Sequence, residues 1–226
     1  KVHSNQAHAG GGGLCLWGSQ VSVEDCHIHN NFTPGGAGGI SCKHDSYVSL
    51  SGSKICFNHS HGSGGGIVIA ANSEIIFDSI SRCNIYLNYA SRGCDIHNAL
   101  SEVGKVYVDT FTVINPESYF VSSIDNYGYQ QYDIEVDAFA SKIVPYDGDL
   151  YVSPVLGNDN NSGAHPDSAL KTIAFAFTKM QIDSLDKNTI HLAEGIYSDS
   201  ANNEKFPLNI RPFINVKGAG RDQTIL

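Results

Sequence analysis

The sequence predicts an all-β fold: a solenoid of stacked parallel strands in two partial modules, with one short capping helix. Three observations predict it. An Asn placed three residues after a branched apolar residue leads into a glycine-rich run or turn and then a Leu or Ile. This happens at Val2, Asn5 and Leu14, then at Ile28, Asn31 and Ile40, at Ile55, Asn58 and Ile67, and at Ile85, Asn88 and Ile96. The Asn returns after 26, 27 and 30 residues, the range of stacked repeat units. Between these landmarks apolar and polar residues alternate, as at Val21 and Val23, Val48 and Leu50, and Ile75 and Phe77, which is strand period. No helix-length segment separates these strands, so each must pair with its equivalent one repeat on rather than through a helical crossover.

Taken in order, the first module spans 1–114 and holds the later coils and the end of a solenoid. Stacked strands lie about 4.8 Å apart, so like residues pile up: Ile28 on Ile55 on Ile85 inside, Val21 on Val48 on Ile75 inside, and Asn5, Asn31, Asn58 and Asn88 at one corner. An Asn there can adopt a left-handed backbone and share amide hydrogen bonds with the Asn above and below. The glycine-rich runs at 10–13, 35–39 and 64–66 fit a corner too tight for a Cβ. After Ile96 the pattern decays. Val106, Val108, Phe111 and Val113 alternate without an Asn or a glycine corner, so the module is expected to end there.

Residues 115–148 read as a linker rich in tyrosine, with Pro116 and Pro145 inside it. Its rings are expected to cover the open end of the solenoid; sugar stacking on Tyr127, Tyr129 and Tyr132 is the alternative. From Asp149 to Leu226 a second solenoid begins. Leu150-Tyr151-Val152 is a strand, and 157–163 form an Asn/Asp/Gly loop. Leu170, Ile173, Phe177 and Met180 lie on one face of a short helix N-capped at Asp167 or Ser168. Strands resume at Thr189-Ile190-His191-Leu192, Ile214-Asn215-Val216 and Thr224-Ile225-Leu226.

The Gly-Gly-x-Ile runs with their upstream Asn resemble the right-handed parallel β-helix of the pectate-lyase-like superfamily, and are similar to repeats of bacterial polymorphic outer membrane proteins. Residues 149–226, with Lys171-Thr172-Ile173, Ile190-His191-Leu192-Ala193 and Gly218-Ala219-Gly220, resemble the capped start of many secreted bacterial β-helix proteins. The resemblance implies fold rather than activity. Polysaccharide lyases of that superfamily use clustered Asp residues with calcium and an Arg or Lys base. Here Lys43, Lys54, Arg82 and Arg92 fall at unmatched repeat positions, and Glu24, Asp25, Asp45, Glu74, Asp78 and Asp95 give no outward pair on adjacent coils. Glycosidase chemistry would need such a pair.

Composition bounds the function classes. The 226 residues carry a net charge of −9, against the basic footprint that nucleic acid or an anionic membrane requires, and no apolar run reaches spanning length. The chain starts at Lys1 inside a coil, so a processed or excised piece is expected. The six cysteines read as small buried hydrophobes rather than a disulfide framework. His27 and His29 flank Ile28, with His59 and His61 one coil on. Register sets His29 against Cys56 and His59 against Phe32, so the four imidazoles are expected as surface residues without metal. The Asp159 loop resembles the start of a calcium loop but lacks the closing glutamate, so an Asx-rich turn is expected and calcium is the alternative. No cofactor is expected.

These readings lead to a structural or adhesive protein, secreted or at the surface of a bacterium, leaning away from enzymatic activity. Self-association head to tail into a filament is expected through the open ends at Lys1, Val2, Ile225 and Leu226. The alternative is a carbohydrate-binding or carbohydrate-active module.

Overall fold

A computed structural model describes residues 1–70, 72–99, 104–124 and 134–226. The chain forms two compact units, Lys1–Lys142 and Ile143–Leu226, and both are wound as parallel β-solenoids.

In the first unit the strands come coil by coil. The first coil holds β1 (Val2–His3), β2 (Leu14–Trp17) and β3 (Gln20–Glu24). The second holds β4 (His27–His29), β5 (Phe32–Thr33), β6 (Ile40–Lys43) and β7 (Tyr47–Ser51). The third holds β8 (Lys54–Cys56), β9 (His59–Ser60), β10 (Ile67–Ala70) and β11 (Glu74–Phe77). Then follow β12 (Cys83–Tyr86), β13 (Ile96–Ala99), β14 (Val106–Phe111), β15 (Val121–Ile124) and β16 (Val136–Ser141). Each pairs in parallel with its counterpart one coil away. The result is a six-stranded sheet in the order β1-β4-β8-β12-β14-β16, a five-stranded sheet β15-β13-β10-β6-β2 and a three-stranded sheet β11-β7-β3.

Register sets like on like: Val2, Ile28, Ile55, Ile85 and Phe111 form one column, and Val21, Val48 and Ile75 another. Ile28, Ile55, Ile85, Phe111 and Val48 are wholly buried. The alternation in sequence thus becomes an inward column and an outward column on every sheet, and burial of the inward one is the main stabilising term.

At the corner after the six-stranded sheet, the left-handed residue is not the ladder Asn but the residue before it. Ser4, Asn30, Phe57 and Leu87 have φ of 56°, 54°, 58° and 51°. The sharp bend at this residue turns the following Asn side chain inward along the stack.

The solenoid continues past Val113, which corrects the expected end at 114. Within 115–148, expected as a linker, β15 pairs with β13 and β16 pairs with β14. These strands lie on a stack whose edges were already formed, so they need no Asn or glycine corner of their own.

In the second unit β17 (Leu150–Val152), β18 (Thr189–Leu192) and β20 (Asn215–Gly218) form one parallel sheet, and β19 (Gly195–Ile196) pairs with β21 (Thr224–Ile225). The helix α1 spans Ile173–Lys179, and a single turn, α2, spans Asp199–Asn202. Helix α1 packs against β17 and β18, burying Ile173, Phe175 and Phe177 with Leu150, Leu170 and Ile190. Its N-cap is Thr172, whose hydroxyl accepts from the Phe175 N–H at 3.2 Å, not Asp167 or Ser168. Those two lie in a separate 3₁₀ turn, Pro166–Ser168. Between the two, Leu170 is spent on pairing, its N–H donating to the Tyr151 carbonyl at 2.8 Å.

Candidate functional site

Four features of the outward and corner positions bear on function. The first is the asparagine ladder. The backbone N–H and the side-chain amide of Asn5 both donate to Asn31 Oδ1, at 3.1 and 2.9 Å. Asn31 does the same to Asn58 Oδ1 at 3.1 and 2.9 Å, and Asn58 to Asn88 Oδ1 at 3.0 Å in both bonds. Nδ2 of Asn31, Asn58 and Asn88 also reaches the carbonyl of the apolar column a coil earlier, as Asn58 does to Ile28 at 3.0 Å. The glycine before each inward Ile belongs to this device. A Cβ at Gly13, Gly39 or Gly66 would lie 3.0 to 3.1 Å from the ladder amide one coil further on. Asp95 takes that position in the last glycine-type corner. Its buried carboxyl is pushed up to about 7 by desolvation, moderated by hydrogen bonds from Thr112 and Asn88.

The second feature is the outward face of the six-stranded sheet over β8, β12, β14 and β16. Lys54 and Lys142 stand over the Tyr86 ring, 5.3 and 5.6 Å from its centre. The Arg82 guanidinium lies 3.7 Å from the centre of Phe139 and 5.3 Å from that of Tyr107, with Lys105 5.7 Å from Tyr107. Arg82 is held in place by Asp137 at 2.9 Å, and Lys105 by Glu135 at 2.6 Å and Asp137 at 3.2 Å. Hydrogen bonds from Arg82 and Lys105 pull the Asp137 carboxyl below the ordinary carboxylate range. Lys54 and Lys142 have no carboxylate partner among the described residues. Phe139 is 67% exposed, so an apolar ring and ammonium groups without carboxylate partners lie on one face, Lys54 bonded to Tyr86. Such a face stacks on apolar ring edges and neutralises anions.

The third feature is the group of histidines. His27 and His29 stack at 4.0 Å between ring centres and His29 stacks on His3 at 5.0 Å, all on the outward side of β1 and β4. Burial, then the charge of neighbouring His and Lys groups, lowers the pKa of both His27 and His29. His59 and His61 are elsewhere, packed around Phe32 at 5.2 and 4.8 Å. Among the described residues no group of three or more His, Cys, Asp or Glu side chains is placed to hold a metal ion.

The fourth lies in the second unit. Tyr151, His191 and Lys217 are register neighbours on β17, β18 and β20. Tyr151 and His191 stack at 4.9 Å, and Asp149 Oδ2 is 2.8 Å from His191 Nε2. In the Asp159 loop, Oδ1 accepts from the N–H groups of Lys171 and Thr172 at 2.8 and 3.0 Å, and Oδ2 from the Thr172 hydroxyl at 2.9 Å. The carboxylate therefore orders the approach to α1.

Of the other residues singled out, Val2 pairs with Ile28 in β1 and Ile225 pairs with Ile196 in β21, while Lys1 and Leu226 are exposed. Tyr127, Tyr129 and Tyr132 lie outside the described residues. None of the six cysteines is disulfide-bonded; Cys42, Cys56, Cys83 and Cys94 are buried, but Cys15 is exposed and Cys26 half-exposed. Sequence reasoning passed over Tyr86, Tyr107 and Phe139. Their shared signal is an aromatic residue at an outward position of successive coils of one sheet.

Fold and outward faces together define a parallel β-solenoid protein. A family described as a protein of unknown function, DUF1565, matches residues 155–223, the capped opening of the second solenoid. No curated protein and no solved structure matches the chain. No helix among the described residues is long and apolar enough to cross a membrane.

Proposed function

We propose that the protein is a structural, adhesive β-solenoid working outside a bacterial cell or at its surface, and that it holds an anionic glycan along its six-stranded sheet. The observation that carries this reading is the strip in which Lys54, Arg82, Lys105 and Lys142 are set on the rings of Tyr86, Tyr107 and Phe139. Aromatic faces take the C–H faces of sugar rings, and ammonium groups without a protein carboxylate take the sugar's own. The overall charge of −9 opposes nucleic acid, whose dense phosphates need a wide basic footprint. A narrow basic strip is enough for a sparsely charged polysaccharide.

Head-to-tail association belongs to the same reading. Coils that pair like on like within the chain, as Ile28 on Ile55 and Val21 on Val48, can pair in the same way between chains.

Calorimetry and affinity electrophoresis with pectin, alginate and a neutral β-glucan test the glycan reading. Binding of the two acidic polymers, and not the neutral one, is expected. Arg82→Ala and Phe139→Ala are each expected to weaken it about tenfold, near 1.4 kcal/mol. Failure of every glycan to bind refutes the reading; turnover of a bound polymer replaces it with a carbohydrate-active enzyme.

A further inference from the structure

The outward side of β1, β4 and β8 carries His3, His27, His29 and Cys56, four side chains that favour soft or borderline cations. Alternation puts them there: Ile28 and Ile55 fill the core between them. His3 pairs in register with His29, and His29 with Cys56.

One distance stands out. Cys56 Sγ lies 3.6 Å from His27 Nε2. A tetrahedral d¹⁰ cation with a sulfur at about 2.3 Å and an imidazole nitrogen at about 2.1 Å sets those two ligand atoms about 3.6 Å apart. The sulfur and nitrogen therefore already stand at the separation that a shared ion imposes. His29 is next to them, its ring stacked 4.0 Å from that of His27 and its Nδ1 3.1 Å from the Asn30 side-chain amide. For one of its nitrogens to reach a shared ion, the ring must turn out of that stack and release Asn30. Lys54, the register neighbour of His27, is drawn onto the Tyr86 ring 5.3 Å away.

We propose that Cys56, His27 and His29 close around a thiophilic d¹⁰ cation of the zinc class, with His3 or water as fourth ligand. The site is closed by the ion: two donors are in place and the third turns in. Binding exchanges the Cys56 thiol proton for a metal–sulfur bond and releases that proton to solvent, and the thiolate so formed offsets the positive charge of Lys54. The glycan reading rests on other residues, so either can fail alone.

The test is titration of the full chain with Zn²⁺ against a chromophoric chelator, and with Co²⁺ as a spectroscopic substitute. One equivalent is expected, with a thiolate-to-cobalt charge-transfer band in the near ultraviolet. Cys56→Ser and Cys56→Ala abolish that band, while His27→Gln and His29→Gln each weaken Zn²⁺ binding at least tenfold. His61→Gln, on the corner beside Phe32, changes nothing. Because His27 and His29 face outward, their Gln variants keep the fold, which circular dichroism checks. Absence of the charge-transfer band overturns the proposal, as does Zn²⁺ binding of wild-type strength in His27→Gln, or losses in His61→Gln equal to those in His27→Gln.

Discussion

Asn88 donates both its backbone N–H and its side-chain amide to a single oxygen of Asp95, at 3.2 and 2.9 Å. These are the two bonds that every earlier ladder residue makes to the Asn of the next coil. Asp95 comes from the same coil as Asn88 and sits where the earlier coils carry Gly13, Gly39 and Gly66, the registers being those of Ile96 with Ile67 and Ile67 with Ile40. Those glycines leave room for the next amide. The fourth corner has no amide to follow, and an acid fills the space and closes the series.

That acid makes the corner sensitive to pH. Burial pushes the Asp95 carboxyl up to about 7, above its value in an unfolded chain, so the folded state binds the proton more tightly. The stabilisation is complete below about pH 4 and is lost as pH rises toward 7. Asp95→Asn keeps an acceptor for Asn88 and carries no charge. It is expected to be more stable than wild type at pH 8 by on the order of 3 kcal/mol, and close to it at pH 4. Urea melts of both proteins across pH 4 to pH 8 measure the difference; parallel curves would show that Asp95 does not titrate between the two states.

Asn58→Ala removes the acceptor of two Asn31 donors and the side-chain amide that donates to Asn88 Oδ1 and to the Ile28 carbonyl. Buried groups left unpaired cost about 1 to 3 kcal/mol, and the loss is expected as a lower denaturation midpoint with an unchanged slope. A midpoint equal to wild type would mean that the ladder contributes no stability.

The left-handed corner residues give a prediction of opposite signs. Phe57 has φ 58° and is 44% exposed, whereas Leu87 has φ 51° and is 6% exposed. A branched or bulky side chain pays roughly 1 to 2 kcal/mol in that region, and Asn pays less. Phe57→Asn should therefore raise stability by about 0.5 to 1 kcal/mol, while Leu87→Asn should lower it because the lost burial outweighs the relieved strain. Thermal unfolding of the two variants decides it.

Helix α1 is clamped at both ends by the chain that follows it. Glu204 accepts from the N–H groups of Ile173 and Ala174 at 2.8 and 3.0 Å, and Arg211 donates to the carbonyls of Phe177 and Met180 at 2.8 and 2.6 Å. Opposite charges at the two ends match the helix dipole. Glu204→Ala is expected to cost about 1 to 3 kcal/mol and to speed amide exchange at residues 173 and 174 by more than tenfold. Unchanged exchange there would show that the carboxylate does not hold the helix start.

Legibility in the sequence followed the physics of each element. The columns headed by Ile28 and Val48 could be read because alternation and the Asn landmarks fix register independently of the rest of the chain. β15 and β16 could not, since Val121-Ser122-Ser123-Ile124 and Val136–Ser141 take their register from strands already stacked. Asp95 looked like a stray acid because its partner is an amide seven residues earlier. The start of α1 was misplaced because Leu170 keeps helical spacing while bonding to Tyr151. The cation and aromatic strip was hidden because Arg82 meets Phe139 only across three coils, at a sequence distance where no local pattern links them.

The repetition of the Asn bonds has a consequence for inheritance. Asn31 and Asn58 are 27 residues apart, make the same bonds upward and downward, and are each preceded by a left-handed residue. A genetic event that duplicates or deletes the segment between them joins ends of identical shape, with every inward column and hydrogen bond restored across the seam. The number of coils is thus free to vary between generations by whole units, while a few extra residues are absorbed only where a turn loops them out of the stack, as in the 30-residue step from Asn58 to Asn88.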